Sequence, residues 1–477
     1  MTTDKVLEIF KEITKIPRES GNEQHIIKYL VDFAKKRNLE VKKDKVGNVL
    51  ITVAASKGYE NAPTVILQSH SDMVCEKNEG VEHDFTKDPI KYIIKDGWMI
   101  APDTTLGADC GIGIAAELAL CDDKELSHPK IECLFTSSEE TGMDGAFGIS
   151  NDFISGKILI NLDSEDEGEL FIGCAGGINT IGNFDYIPTK CRFHNYYKIG
   201  FKGGVGGHSG DDINKEHCNA NQQLARSLFR IMQKHDIDIC IIDGGNKDNA
   251  ISREAYAIIS FISSNADDIK NIHIETAKAI KKEFANTDPN VTPIWEQTNY
   301  KGNVIEPTVA KKLIFCLNSI PHGVLGMSTD IDGLVETSTN LAAIKMEGEN
   351  SVRILTSQRS SVDSERQYAS ETIECAFRAA DARAIHNAEY PGWKPKMDSP
   401  ILKTSIKAYK ELFNKEPIVR AIHAGLECGL FLTKYPDLDM ISFGPTLKGV
   451  HAPGEKLELA TVEKFVKLLE NIIIKIK

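Results

Sequence analysis

Short apolar runs alternate with helical stretches over the first third of the chain. The run at 64–67 predicts a buried strand that ends close to His70 and Asp72. Similar runs at 131–136 and 157–162 predict further strands, each followed by acidic residues. Because strand and helix patterns follow one another in this way, the sequence indicates an α/β domain.

The pattern of elements changes in the middle of the chain and changes back near its end. A strand-like segment at 196–201 leads into a glycine-rich stretch at 203–210, and a second series of strand and helix signals follows. The α/β pattern then returns. We therefore expect one α/β domain formed by 1–187 and 394–477, interrupted by an inserted α+β domain at 188–393.

Histidine and carboxylate residues recur where the predicted strands end or a helix begins. They are His70, Asp72, Asp109, Glu139, Glu140, Asp163 and His451. An open α/β sheet places its chemistry beyond the carboxyl ends of its strands, so these side chains are expected to gather there. Imidazole and carboxylate ligands suit Zn²⁺, Mn²⁺ or Co²⁺, and affinity favours zinc among these three. The ordered set therefore predicts a metal site.

Asp109 precedes the small-residue helix predicted at 111–120, which makes it the natural residue to share between two ions. Two cations about 3.5–4 Å apart need a bridging carboxylate that offsets their repulsion, and water between them becomes acidic. In the pair Glu139–Glu140, one carboxylate can bind metal while the other receives the proton of that water. Asp72 follows His70 closely in the sequence and can orient its imidazole.

Composition narrows the range of partners. A net charge of −13, from 69 acidic and 56 basic residues, disfavours nucleic acid, whose binding relies on basic surface. No apolar run approaches the ~18 residues that span a bilayer, so no membrane partner is expected. The start of the chain lacks the regions of a signal peptide, and the 11 cysteines include no Cys-x-x-Cys pair. We therefore expect a cytoplasmic protein with reduced thiols.

Two other motifs give weaker signals. Ser69, His70 and Asp72 are triad residue types, but neighbours along an extended segment cannot stack as nucleophile, base and orienting acid. The glycine-rich stretch at 203–210 lacks the Gly-Lys-Ser/Thr ending of a phosphate loop. This stretch is either a flexible turn or a pliable loop that carries a functional His208.

Taken together, these motifs resemble those of the aminoacyl-histidine dipeptidases (peptidase D, Xaa-His dipeptidases), a branch of the cocatalytic zinc peptidases. The resemblance runs over essentially the whole length of the chain. The segments that carry it are 69–75, 105–109, 139–146, 173–177, 206–210, 423–429 and 451–455. It implies a mixed-sheet di-zinc peptidase domain interrupted by an inserted α+β lid domain.

The same resemblance implies roles for the residues at the strand ends. The implied metal ligands are His70, Asp109, Glu140, Asp163 and His451, with Asp109 shared between two ions. The implied catalytic pair is Asp72 and Glu139, with Glu139 as general base and acid. A cis peptide bond between Asp109 and Cys110 is also implied, although Cys110 stands where the family pattern has Asn.

The inserted domain resembles a lid that also mediates dimerisation, so a homodimer is an expected assembly. His208 is similar to the lid histidine that holds the scissile carbonyl oxygen. Arg359 is similar to the arginine that binds the C-terminal carboxylate of the substrate. Because the insert at 188–393 is much longer than a single small lid needs, we expect His208 to act within its own chain.

The function expected from this resemblance is hydrolysis of unblocked dipeptides by a two-metal enzyme, with a broad or Xaa-His preference. Small peptides would be its substrates. Two alternatives stay open among hydrolases: a tripeptide aminopeptidase and an amidohydrolase that removes an acyl group from an amino acid. A third alternative is a metal-binding protein without activity, although a protein that only binds metal has no need of Glu139.

Overall fold

The computed structural model describes residues 1–477. The α-helices are α1 (Thr3–Ile13), α2 (Gln24–Lys36), α3 (Ala108–Asp122), α4 (Asp144–Gly148), α5 (Ala220–Met232), α6 (Ala266–Glu283), α7 (Pro307–Ser319), α8 (Asp363–Ala379), α9 (Pro400–Phe413), α10 (Glu427–Lys434) and α11 (Leu459–Lys475). The strands are β1 (Glu40–Lys43), β2 (Val49–Val53), β3 (Val65–His70), β4 (Ile93–Lys95), β5 (Trp98–Ile100), β6 (Ile131–Thr136), β7 (Ile158–Asn161), β8 (Glu169–Cys174), β9 (Gly176–Asp185), β10 (Thr189–Lys190), β11 (Asn195–Lys202), β12 (Asp238–Gly244), β13 (Ala255–Phe261), β14 (Thr292–Thr298), β15 (Asn303–Val304), β16 (Gly323–Met327), β17 (Val335–Glu347), β18 (Ser351–Ser360), β19 (Arg383–Tyr390), β20 (Ile418–Ile422), β21 (Asp439–Ser442), β22 (Leu447–Lys448) and β23 (Lys456–Glu458).

The first of two compact units comprises Met1–Gly173, Pro395–Ala421 and Leu426–Lys477. Its main sheet has the order β1-β2-β6-β3-β7-β21-β8-β20. Strands β6, β3, β7 and β21 are parallel neighbours, whereas β1 and β2 join the sheet antiparallel. The sheet is therefore mixed, and the carboxyl ends of its four central strands lie along one edge.

Burial explains why these central elements form. Every residue of β3 and β6 is buried, as expected for strands covered on both faces. Helix α3 is apolar around most of its circumference and is buried over most of its length. Helix α1 is amphipathic instead, and it turns Val6, Ile9, Phe10 and Ile13 inward. None of the helices combines the length and the apolar composition that crossing a membrane requires.

The second unit comprises Cys174–Lys394 and Ile422–Gly425. Its large sheet has the order β14-β11-β13-β12-β17-β18-β9-β19, with β16 paired to β17. All pairs in this sheet are antiparallel. The pairing of β12 with β17 joins the strands β14, β11, β13 and β12 to the strands β17, β18, β9 and β19. Helices α5, α7 and α8 contribute to its hydrophobic core. The unit is thus an α+β domain.

The α/β fold class with an inserted α+β domain is confirmed, but the first boundary differs from the predicted one. The division lies between Gly173 and Cys174, not between residues 187 and 188. Strand β9 causes the difference, because it pairs with β18 and β19 in the sheet of the second unit. Its partners β18 and β19 lie far along the chain, so the sequence alone does not reveal which sheet it joins.

Candidate metal centre

The central strands of the first unit bring the predicted residues to one edge of the sheet. His70 is the last residue of β3, and Asp163 follows the end of β7. The pair Glu139–Glu140 follows the end of β6. Because β6, β3 and β7 are adjacent and parallel, their carboxyl ends meet at the same edge. Asp109 approaches this edge from the first turn of α3.

Asp109 lies between the two histidines and faces each with a different oxygen. Its Oδ1 is 2.9 Å from Nε2 of His70, and its Oδ2 is 3.1 Å from Nε2 of His451. Asp163 Oδ1 lies 3.2 Å from the same His70 nitrogen. Glu140 Oε2 lies 3.0 Å from His451 Nε2. The donors therefore form two groups, one around each imidazole, with the carboxylate of Asp109 common to both.

The donor atoms fit divalent cations. Ligand atoms of His70, Asp109 and Glu140 lie within 4.8 Å of one another, as do those of His70, Cys110 and Asp163. Imidazole and carboxylate are ligands that zinc and similar metals use, and a shared carboxylate is typical of paired ions. The chain thus carries candidate metal-binding residues. The peptide bond between Asp109 and Cys110 is cis, as predicted.

The approach of His451 depends on a turn outside the main sheet. His451 adopts a left-handed backbone conformation with a φ of 63°, and Gly449 before it has a φ of 70°. Its side chain is 51% exposed, whereas that of His70 is 1% exposed. One imidazole of the cluster is therefore fixed in the core and the other lies at its surface.

The local charge favours cations. Burial and neighbouring carboxylates raise the pKa of Asp163 to about 6 and that of Glu165 to about 8. Burial also raises the pKa of Glu139 well above its usual range. Hydrogen bonds to two carboxylates raise the pKa of His451 to about 11. A buried group of acids of this kind is stabilised by protons or by divalent cations.

Asp72 connects His70 to the glutamate pair. Its Oδ1 lies 3.3 Å from Nδ1 of His70 and accepts the backbone N–H of Glu139 at 3.0 Å. Its Oδ2 accepts the backbone N–H of Glu140 at 3.2 Å and the hydroxyl of Ser20 at 2.8 Å. Although burial alone would raise the pKa of Asp72, these hydrogen bonds lower it to about 2. An ionised Asp72 therefore holds the imidazole and both glutamates in a fixed relation.

Two buried charges that the sequence patterns do not single out hold the segment before Asp109. The Arg18 guanidinium donates to the carbonyl oxygens of Asp72 and Gly107. The Glu455 carboxylate accepts backbone N–H groups from Leu106 to Asp109, at 2.7 to 3.5 Å. An anion at the start of a helix is favourable because the first N–H groups have no partner within the helix. Glu455 ends the motif at 451–455, which is the one signal that could have identified it.

In the second unit, His208 lies in the glycine-rich segment between β11 and α5. Its Nδ1 accepts the backbone N–H groups of Gly210 at 3.2 Å and Asp211 at 3.3 Å. Burial and the charge of Arg359 lower the pKa of His208. A neutral imidazole that accepts at Nδ1 carries its proton on Nε2, so His208 presents a hydrogen-bond donor.

Arg359, on β18 of the same unit, is a buried cation with spare hydrogen-bonding capacity. It is 8% exposed, and its Nη1 donates to the hydroxyl of Tyr390 at 3.0 Å. Its Nε has no hydrogen-bond partner. Buried guanidinium groups are normally paired with anions, so Arg359 is suited to binding one.

Comparison with known proteins identifies the family of this chain. Residues 66–475 match the family described as peptidase family M20/M25/M40. A relative named cytosol non-specific dipeptidase, from Escherichia coli (strain K12), is 39% identical over 469 residues, which cover 98% of this chain and 96% of the relative. The crystal structure of an aminoacylhistidine dipeptidase from Vibrio alginolyticus has a TM-score of 0.92 at 38% identity, covering 99% and 96% of the two chains. Human carnosine dipeptidase 1 shares the fold, with a TM-score of 0.51 at 13% identity, covering 99% and 96%. This chain therefore belongs to peptidase family M20/M25/M40.

Proposed function

We propose that this protein is a two-metal dipeptidase that hydrolyses unblocked dipeptides, with a broad or Xaa-His preference. The observation that carries the proposal is the position of Asp109, with one oxygen 2.9 Å from His70 and the other 3.1 Å from His451. The names of the Escherichia coli and Vibrio alginolyticus relatives support the dipeptide substrate. A cytoplasmic location stays a prediction, supported by the word cytosol in the first of those names.

Under this proposal the two donor groups hold two ions, most favourably zinc. One group is His70, Asp163 and Asp109, and the other is His451, Glu140 and Asp109. When bound, the ions polarise the peptide carbonyl and lower the pKa of the attacking water. Glu139 takes the proton from that water and transfers it to the leaving amine, which restores the Glu139 carboxylate. Asp72 holds Glu139 and His70 in fixed relative positions during this transfer.

The second unit contributes substrate recognition in this proposal. Arg359 binds the free C-terminal carboxylate of the dipeptide through its guanidinium group, whose Nε has no partner. His208 donates from Nε2 to the scissile carbonyl oxygen, where negative charge develops.

The proposal is tested by a substrate panel of dipeptides, tripeptides and N-acyl amino acids, each assayed with added Zn²⁺, Mn²⁺ or Co²⁺. We expect metal-dependent hydrolysis of dipeptides, with tripeptides and N-acyl amino acids turned over much more slowly. Faster hydrolysis of tripeptides or of N-acyl amino acids would assign the chain to those activities instead. Metal binding without hydrolysis of any substrate would show a protein that only binds metal.

We expect Arg359→Ala to raise KM for unblocked dipeptides by about 10- to 100-fold, because a charge-assisted hydrogen bond to the substrate is lost. The KM for the same dipeptides with an amidated C-terminus should change little. Arg353→Ala is the matched control, since Arg353 lies on the same strand and is paired with Glu347 at 3.6 Å. An equal rise in KM for the unblocked and the amidated dipeptides would contradict the assignment of Arg359 to the substrate carboxylate.

A further inference from the structure

A row of polar side chains crosses the centre of the main sheet directly beneath the candidate ligands. It consists of Thr136 on β6, Gln68 on β3, Asn161 on β7 and Ser442 on β21, and we call it the polar row. All of its members are completely buried. Buried polar side chains in a core strand are costly unless their hydrogen bonds are satisfied, so such a row requires an explanation.

Hydrogen bonds link the polar row from strand to strand. Gln68 Oε1 accepts from the Asn161 amide at 2.5 Å, and Asn161 Oδ1 accepts from the hydroxyl of Ser442. Gln68 Nε2 lies 3.2 Å from Thr136 Oγ1 at the other end. The registers agree with this linkage, because Gln68 pairs with Asn161 and Asn161 pairs with Ser442. The side chains thus connect four strands, with Gln68, Asn161 and Ser442 opposite one another and Thr136 opposite His70.

Two of the candidate metal ligands lie directly after members of the polar row. His70 follows Gln68 by two residues on the same strand, and Asp163 follows Asn161 by two. The side-chain Oδ1 of Asn161 also accepts the backbone N–H of Asp163 at 3.3 Å. Any change in the spacing of the strands at the polar row is therefore passed on to the metal ligands two residues later.

The polar row ends in a buried carboxyl group, that of Glu427 at the start of α10. Its Oε2 accepts from Gln68 Nε2 at 2.6 Å and from Thr136 Oγ1 at 2.7 Å. Glu427 is 1% exposed, and its Oε1 has no hydrogen-bond partner. Glu427 lies outside the sheet and accepts from a polar-row side chain on each of two strands, Gln68 on β3 and Thr136 on β6. It therefore links these two strands.

We infer that Glu427 is a positioning residue for the metal centre, which fixes the separation of β6 and β3 and thereby the relative positions of the glutamate pair and His70. The inference rests on the proposed function, because it concerns the same ions. Burial raises the pKa of Glu427 to about 8, so a protonated carboxyl is expected at neutral pH. Gln is then a close replacement, while Leu removes the acceptor oxygen.

The test measures the dissociation constants for Zn²⁺ and the visible absorption spectrum of the Co²⁺-loaded protein. We expect Glu427→Leu to raise the metal Kd by about 10- to 100-fold and to alter the Co²⁺ spectrum, as loss of residues that orient metal ligands does. Glu427→Gln should restore both properties to within a few-fold of the unsubstituted protein. Thr136→Val, which removes one donor to Glu427 with little change in shape, should raise Kd by about fivefold.

Glu132→Ala is the matched control for stability. Glu132 is also buried on β6, but near its opposite end, where it accepts from the backbone of Ser155 and Gly156. This variant should lower stability and leave the metal Kd unchanged. An unchanged metal Kd in Glu427→Leu would overturn the inference about Glu427 and leave the proposed function intact. If Glu427→Leu does not fold, an unchanged metal Kd in Thr136→Val has the same meaning. Absence of metal binding by the unsubstituted protein would overturn the proposed function as well.

Discussion

Replacement of Glu139 by Gln is expected to lower kcat by about 10³-fold while the metal content stays unchanged. The reason is that Gln keeps the size of the side chain and loses its ability to accept a proton, and general acid–base catalysis contributes about 10² to 10⁴ in rate. The backbone N–H of Glu139 would still bond to Asp72, so the segment should keep its position. Steady-state kinetics together with metal analysis of the same preparation measure both quantities.

The neighbouring Glu140 provides the comparison for this experiment. Its carboxylate lies 3.0 Å from His451 Nε2, so Glu140→Gln should weaken metal binding and lower activity as a consequence. Added metal should then recover part of the activity of Glu140→Gln and none of that of Glu139→Gln. If both variants lose metal equally, or if Glu139→Gln remains active, the two glutamates have been assigned the wrong roles.

Replacement of His451 by Ala is expected to reduce the bound metal from about two ions per chain to about one. His451 supplies the imidazole of one donor group, and its Nε2 contacts Asp109 at 3.1 Å and Glu140 at 3.0 Å. The other group keeps His70, which is completely buried, so one ion should remain. Metal analysis after dialysis against metal-free buffer gives the stoichiometry, and activity should fall with the loss of the second ion.

His25→Ala is the control for this loss. His25 is an exposed residue of α2 and lies outside the donor groups, so its removal reports metal that binds to surface histidines. That variant should retain about two ions per chain. An unchanged stoichiometry in His451→Ala would remove His451 from the site.

The sequence predicts the edge of the sheet where the donors meet because strand endings leave a local pattern. The apolar runs before His70 and before the pair Glu139–Glu140 correspond to β3 and β6. The return of the α/β pattern after the insert also predicts that His451 joins residues of the N-terminal third. These features depend on periodicity over a few residues, which a single sequence displays directly.

Other parts of the centre could not be predicted because they depend on contacts between distant segments. Arg18 and Glu455 support the segment before Asp109 from opposite ends of the chain, and neither stands in a periodic pattern. Glu427 belongs to a motif that the family resemblance marks, but the motif gives no indication that its carboxyl group reaches Gln68 and Thr136. Pairing partners such as those of β9 are likewise decided by the folded sheet.

The place of β21 in the main sheet has a consequence for synthesis of the protein. This strand, from near the C-terminus, lies between β7 and β8, which belong to the first 174 residues of the chain. Until residues 439–442 leave the ribosome, β7 and β8 each lack a neighbour, and unpaired strand edges promote association between chains. The segment 174–394, by contrast, forms the second unit almost completely, since only Ile422–Gly425 is added later. We therefore expect the inserted unit to fold first and the metal centre to assemble last, so that a growing chain has no peptidase activity.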